Sequence, residues 1–397
     1  MEIFGDIKNY DWGKLGGESE VVKLVQLNDD SFVVDNKKPY SELWMGDHVS
    51  GPSKVKATGE SLGEFIQKDL KGNIGGQAKL PFLFKVLSIR KALSIQVHPN
   101  KSEAERLHSL YPDIYKDANH KPEIAIALTP FLALCDFRPH GEIYQLLKSH
   151  NELVELLGSG NIDLINSNGA DGLKMCYSKL MKCDDTSIRK CIDSLTDKFK
   201  NDNSKLAEVF NQIQKDFPYD VGSLSLFFLN LIEMKPGQSI YLAAKIPHAY
   251  LFGDCIECMS CSDNVVRAGL TPKFKDVENL LSMLIYDGRN ANEILFKPEM
   301  IDEKHQFTSL FRPPIDDFAV AKVEIPQSVK DYEIVNSKFG SIILVISGSA
   351  IMSASGMETL NIKRGSIIFV PSSVGPSLKL SNIENNLICY QAMYNDF

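Results

Sequence analysis

The chain has 397 residues, a formal net charge of −8 and 24% charged residues. That balance excludes the basic stripe of a general nucleic-acid binder, and the length suggests two or three domains with cores that need no disulfide or metal staple. The opening MEIFGDIKNYDWGKLGG has no apolar run of signal-peptide length, and LSLFFLNLI at 224–232 is too short to span a bilayer. A cytoplasmic, soluble chain with eight reduced cysteines is expected.

In chain order, residues 1–138 are rich in strand signals. PFLFKVLSI (81–89), LSIQVHP (93–99) and EIAIALTPFLALCDF (123–137) are apolar, often branched and bounded by turn residues. The break at Arg90-Lys91-Ala92 predicts a hairpin from the first two. From Pro139 the period changes: Ile188, Cys191, Ile192, Leu195 and Phe199 recur at helical spacing, as do Leu206, Val209, Phe210 and Ile213. GEIYQLLKSHNELVELLG adds a helical stretch that Gly158 should end.

Strands resume after Pro218, in LSLFFLNLIEM, QSIYLA and short strands around 248–260; LTPKFKDVENLLSMLIY reads as helix, and 299–397 is β-rich again. The turn and strand from Lys235 to Leu242 are echoed from Lys363 to Val370. Many short strands without βαβ alternation argue for barrels or sandwiches. The expected domains are 1–138 with 218–298, a helical insertion at 139–217, and a second barrel at 299–397.

Strand side chains alternate faces. Ser94, Gln96 and His98 therefore share one face, with Ile95 and Val97 turned into a packed sheet. Glu123 opens another apolar strand, and His248 lies in KIPHAYLFGD. Each alone reads as a solvated strand end or a satisfied histidine. Together they are polar groups in apolar segments, where leaving each unpaired costs roughly 1–3 kcal/mol. Two imidazoles, a carboxylate and an amide oxygen could instead share a metal. Further on, Glu257, Asp263, Arg267 and Lys273 are charges among apolar neighbours, suited to structural ion pairs or to an anion clamp. Cys255, Cys258 and Cys261 are spaced C-x2-C-x2-C but lack the fourth cysteine of a ferredoxin-like run.

Several long motifs resemble type I mannose-6-phosphate isomerases. They are Asn9-Tyr10-Asp11-Trp12-Gly13, Glu42-Leu43-Trp44-Met45-Gly46 with His48 and Gly51-Pro52-Ser53, PFLFKVLSIRKALSIQVHPNK, NHKPEIAIALTPFLALCDFRP and PHAYLFGDCIECMSCSDNVVRAGLTPK. The resemblance covers nearly the whole chain. It implies a cupin-type β-barrel (jelly-roll) catalytic core with a helical insertion and a second C-terminal barrel without a metal site. It implies one zinc ion per chain on Gln96, His98, Glu123 and His248, and a catalytic Arg267. Ser94, Lys101, Lys121, Glu257, Asp263 and Lys273 match positions lining the family's pocket. The implied reaction interconverts mannose 6-phosphate and fructose 6-phosphate through a cis-enediol, feeding GDP-mannose synthesis and protein glycosylation. The expected partner is a small sugar phosphate, and the chain is expected to be a monomer. Asn100 and Cys261 depart from the family pattern. The rival readings are a non-catalytic metal- or sugar-binding cupin and a cupin iron oxygenase.

Overall fold

A computed structural model describes residues 1–396. The N-terminal half contributes β1 (Asp6–Lys8), α1 (Glu20–Asn28), β2 (Glu42–Met45), β3 (Phe82–Ile89), β4 (Ile95–Val97), α2 (Lys101–Leu110), β5 (Glu123–Ala127) and β6 (Phe131–Phe137). Five helices follow: α3 (His140–Lys148), α4 (Asn151–Leu157), α5 (Ser159–Met181), α6 (Asp185–Phe199) and α7 (Lys205–Asp216). The chain then returns through β7 (Leu229–Met234), β8 (Ser239–Leu242), β9 (His248–Ser260) and β10 (Val266–Gly269) to α8 (Val277–Met283).

These strands form one sheet in which β8, β5, β9, β3, β2 and β1 are neighbours, with β6, β7, β4 and β10 branching from β9. Every pairing is antiparallel. The organising element is β9. Its residues 253–260 pair with β3 and 255–259 with β5, while His248 lies opposite Gln96 of β4. Gly253, at φ +114°, permits the change of partners: a Cβ there would sit 2.6 Å from the Pro130 carbonyl.

The predicted hairpin of 81–89 with 93–99 does not form. Both segments pair with β9 instead, because its 13 residues bridge two sets of partners. The segment 248–260 is thus one strand rather than several short ones. LSLFFLNLIEM begins as a 3₁₀ helix (Val221–Phe227), nucleated by the Asp220 cap, before β7 starts. The helix read across 270–286 is confined to α8, which Asp276 caps.

Helices α3–α7 pack on the back of β4, β6, β9 and β10. Ile95, Val97, Leu134, Ala249 and Val266 share an apolar cluster with Ile143, Ile165, Leu195 and Phe210. Ile95 and Val97 therefore face a helical layer rather than another sheet. Asp184 and Ser204 cap α6 and α7 through backbone amides at the third helical position. Gly158 ends α4 at φ +84°.

The C-terminal strands include β11 (Thr308–Phe311), β12 (Ala319–Ile325), β13 (Ser341–Ala354), β14 (Met357–Lys363), β15 (Ile367–Val370) and β16 (Ser377–Met393). They form a second antiparallel sheet built around β13 and β16. One apolar cluster runs between the two sheets, joining Phe82, Ile124 and Ile256 to Phe318, Ile342 and Phe369. The echoed turns lead into β8 in the first sheet and β15 in the second.

Candidate active site and metal centre

Strand pairing brings distant residues together. His248 and Arg267 each lie opposite Gln96, one on either flank of β4. Glu123 starts β5, opposite Met259 of β9. His98, Glu123 and His248 are buried, and a nitrogen or oxygen atom from each lies within 4.8 Å of the others. Nε2 of His98 is 3.6 Å from Glu123 Oε2, and Nε2 of His248 is 3.5 Å from the same oxygen. Neither Nε2 has a hydrogen-bond partner among the described residues.

The other ring nitrogens are engaged. Nδ1 of His98 is 2.8 Å from the Asn264 carbonyl, and Nδ1 of His248 is 3.0 Å from that of Ile246. A carbonyl only accepts, so each Nδ1 carries the proton and each Nε2 keeps its lone pair toward Glu123. Burial, then the Lys121 cation, depress the His98 pKa to about 4. Burial opposes the Glu123 charge, but the Lys121 ammonium 2.8 Å away outweighs it and holds this carboxylate well below its usual range. Two imidazoles with their Nδ1 atoms engaged by carbonyls and their Nε2 atoms unpartnered, facing one carboxylate oxygen, fit a divalent cation of the zinc type.

Above this trio opens a cavity of about 430 Å³, lined among others by Trp12, Lys85, Ser94, Gln96, Lys121 and Arg267. Its charged lining comprises five cations (Lys85, Lys91, Lys121, Arg267, Lys273) against three carboxylates (Asp11, Glu42, Asp263). The cavity lining is thus net positive in a chain of net charge −8, with Glu123 and Glu257 beneath it paired to Lys121 and Lys85. Lys121 Nζ lies 2.8 Å from Glu123 Oε1. Arg267 has no side-chain ion pair among the described residues, and partial burial lowers its pKa. Lys273 is exposed at the rim. Asp263 is also exposed and lies 4.0 Å from His48 Nε2.

Two expected lining residues lie elsewhere. Lys101 is exposed at the first position of α2, where Asn100 caps the helix, and it does not line the cavity. Glu257 is buried one layer down, 2.9 Å from Lys85 Nζ. Burial disfavours the Lys85 charge, but Glu257, Glu42 and Glu123 more than compensate and raise its pKa. Burial raises Glu257 as well, with Lys85 opposing.

Sequence reading missed Lys85 and Tyr250. Lys85 sits in the strand PFLFKVLSI, where a lone lysine between Phe84 and Val86 was the available signal. Tyr250 is buried beside Glu257 and Glu123, two residues beyond His248 on the same face of β9. Cys255 and Cys258 pack into different apolar clusters on opposite sides of β9, which leaves the C-x2-C-x2-C spacing no common centre.

Comparison with known proteins agrees with this layout. The family profile "Phosphomannose isomerase type I, catalytic domain" matches residues 1–140, and that for the type I helical insertion domain matches 152–229. Mannose-6-phosphate isomerase of Macaca fascicularis is 40% identical, with 96% of each chain covered. A probable mannose-6-phosphate isomerase of Dictyostelium discoideum is 38% identical over 96% of this chain and 92% of its own. A crystal structure of a phosphomannose isomerase mutant from Salmonella typhimurium superposes with a TM-score of 0.87 at 28% identity, covering 100% of this chain and 99% of its own. A zinc-bound mannose 6-phosphate isomerase structure gives a TM-score of 0.85 at 28% identity and the same coverage. With relatives of about 40% identity aligned over 96% of the chain and both family profiles matched, the chain belongs to the type I phosphomannose isomerase family.

Proposed function

We propose that this chain interconverts D-mannose 6-phosphate and D-fructose 6-phosphate with one zinc ion held by Gln96, His98, Glu123 and His248. The carrying observation is the pair of buried, unpartnered Nε2 atoms sharing one Glu123 oxygen beneath a cation-lined cavity. The zinc-bound relative supports the choice of metal. When bound, zinc would supply positive charge and a template for the oxygens of an open-chain sugar.

The chain's own residues do the rest. Arg267 and Lys273 offer fixed charge to an anionic substrate, and Ser94 offers a hydroxyl. Trp12 and Trp44 wall the cavity against water. Moving the carbonyl between C1 and C2 requires loss of the C2 proton, a cis-enediol, and return of the proton at C1. Charge builds on the sugar oxygens during this step, and Arg267 and Lys121 stand where they can stabilise it. Asp263 and Lys121 line the cavity as candidates for the transferred proton, with Glu257 behind them through Lys85. The pH profiles of kcat/KM for Asp263→Asn, Lys121→Ala and Glu257→Gln separate the three: loss of the acidic limb marks the base. We read the enzyme as a cytoplasmic monomer supplying mannose 6-phosphate for GDP-mannose synthesis; one chain mass in light scattering is the expected result.

The decisive experiment is a coupled assay on mannose 6-phosphate before and after chelation, with metal analysis of His98→Ala and His248→Ala. Turnover should vanish on chelation and return with zinc, and both variants should lose metal and activity together. An active, metal-free variant would refute the site.

A further inference from the structure

Where the helical segment rejoins the sheet, a buried carboxylate grips the far wall of the cavity. Asp220 follows α7 and caps the 3₁₀ helix Val221–Phe227. Its Oδ1 accepts from the amides of Gly222 and Leu270, both at 2.7 Å. Its Oδ2 accepts from the Thr271 amide at 3.3 Å, with Lys275 Nζ 4.0 Å away. The side chain is 12% exposed and does not line the cavity. What it holds does: Leu270, Thr271, Pro272 and Lys273 all line it, immediately after Arg267.

The grip secures backbone that would not hold itself. Leu270 is a non-glycine residue at φ +55°, a conformation that costs about 1–2 kcal/mol. The pairing of β10 with β4 shifts register between Arg267 and Gly269. At that point two chains touch: a Cβ on Gly269 would lie 2.5 Å from Gly222 Cα, and one on Gly222 would lie 2.7 Å from the Leu270 amide. A glycine pair that close lets one carboxylate oxygen bridge both segments.

We infer that Asp220 is a positioning residue for the substrate's anionic group, fixing the Arg267–Lys273 segment at a distance that lets both cations meet it. This rests on the reading of Arg267 and Lys273 as an anion clamp, and it gives the exit of the helical segment a part in substrate binding.

The test is steady-state kinetics of the zinc-loaded full chain, with inorganic phosphate as a competitive inhibitor. Asp220→Ala should raise KM for mannose 6-phosphate and the phosphate inhibition constant roughly tenfold, with kcat within about threefold and zinc content unchanged. Asp220→Asn keeps one acceptor oxygen and should fall between. An alanine variant with unchanged KM and inhibition constant overturns the inference, as does one that loses kcat and zinc in proportion. Should alanine prevent folding, the asparagine variant decides, and wild-type values for it overturn the inference. Lys273→Ala tests the clamp separately: if it leaves both constants untouched while Asp220→Ala raises them, the clamp reading fails and the positioning of this loop does not.

Discussion

Glu123 answers to three neighbours at once, Lys121 on one oxygen and both imidazoles on the other. A carboxylate so placed cannot be exchanged for an amide without leaving the Lys121 charge unmet. Lys85 is the corresponding cation on the other side of the site. It is buried between Glu257 and Glu42, and Glu42 also accepts from the Trp44 indole. Removing one partner of a buried ion pair leaves uncompensated charge, which costs about 3–5 kcal/mol. Lys85→Met should therefore lower the urea midpoint markedly, and Lys85→Met with Glu257→Leu should recover much of the loss. A double variant no more stable than the single would reject the pairing as the cause. At the same scale, Arg267→Ala should reduce kcat/KM by about 100-fold or more while leaving the melting temperature nearly unchanged. Equal losses of activity and stability would make Arg267 a structural residue.

Among the elements, the helical layer carries its own pH response. His150 precedes α4 with its ring against Phe199 and Phe227, and its Nδ1 is 2.8 Å from the Leu146 carbonyl. Burial lowers its pKa, against the pull of that carbonyl. The sign follows from linkage: the unfolded chain takes up a proton near pH 6.5 while the folded one resists. The contribution is therefore complete above about pH 6.5 and declines as the pH falls below it. Thermal melts between pH 7.5 and 5 should show a smaller pH dependence for His150→Gln than for the parent. The sequence made α6 and α7 legible because their apolar positions keep a period near 3.6 and a capping residue precedes each. It did not mark out α5 within the expected helical insertion: Ser159-Gly160-Asn161 and Asn168-Gly169 are weak helix formers, and Gly169 does break the helical geometry inside it. Strand existence was legible and partnership was not. The hairpin expected at Arg90 failed because pairing is decided by β9, some 160 residues downstream in sequence. The same distance explains the site. Gln96, His98 and Glu123 stood out as polar residues in apolar strands, but their contact with His248 follows from topology, and the proximity of Lys85 to Glu257 follows from the register of β3 on β9.

At the scale of the whole molecule, the two sheets share a core. Phe82 and Ile256 meet Ile342 and Phe369 without a polar layer between them. The junction is reinforced by Arg364 on Glu20, and by Ser372 Oγ donating to the carbonyls of Lys71 and Gly72. Both sheets should therefore melt in one calorimetric transition, and a chain ending near residue 298 should be insoluble for want of its covering face. Two resolved transitions would contradict this. With zinc bound as proposed, chelation should lower that single melting temperature, since free metal at about 100 times its dissociation constant adds about 2.7 kcal/mol.

The length of β9 has a consequence for how this enzyme can change. His248, Tyr250 and Glu257 ride on one continuous ribbon, and a single register shift between Tyr250 and Phe252 lets the even-numbered imidazole and phenol look the same way as the odd-numbered carboxylate. One amino acid inserted between Ala249 and Ile256 would turn everything on one side of it inside out relative to the other, sending either the imidazole or the carboxylate into the apolar layer. Surface loops can lengthen freely over time; this ribbon can accept substitutions but not a change in count.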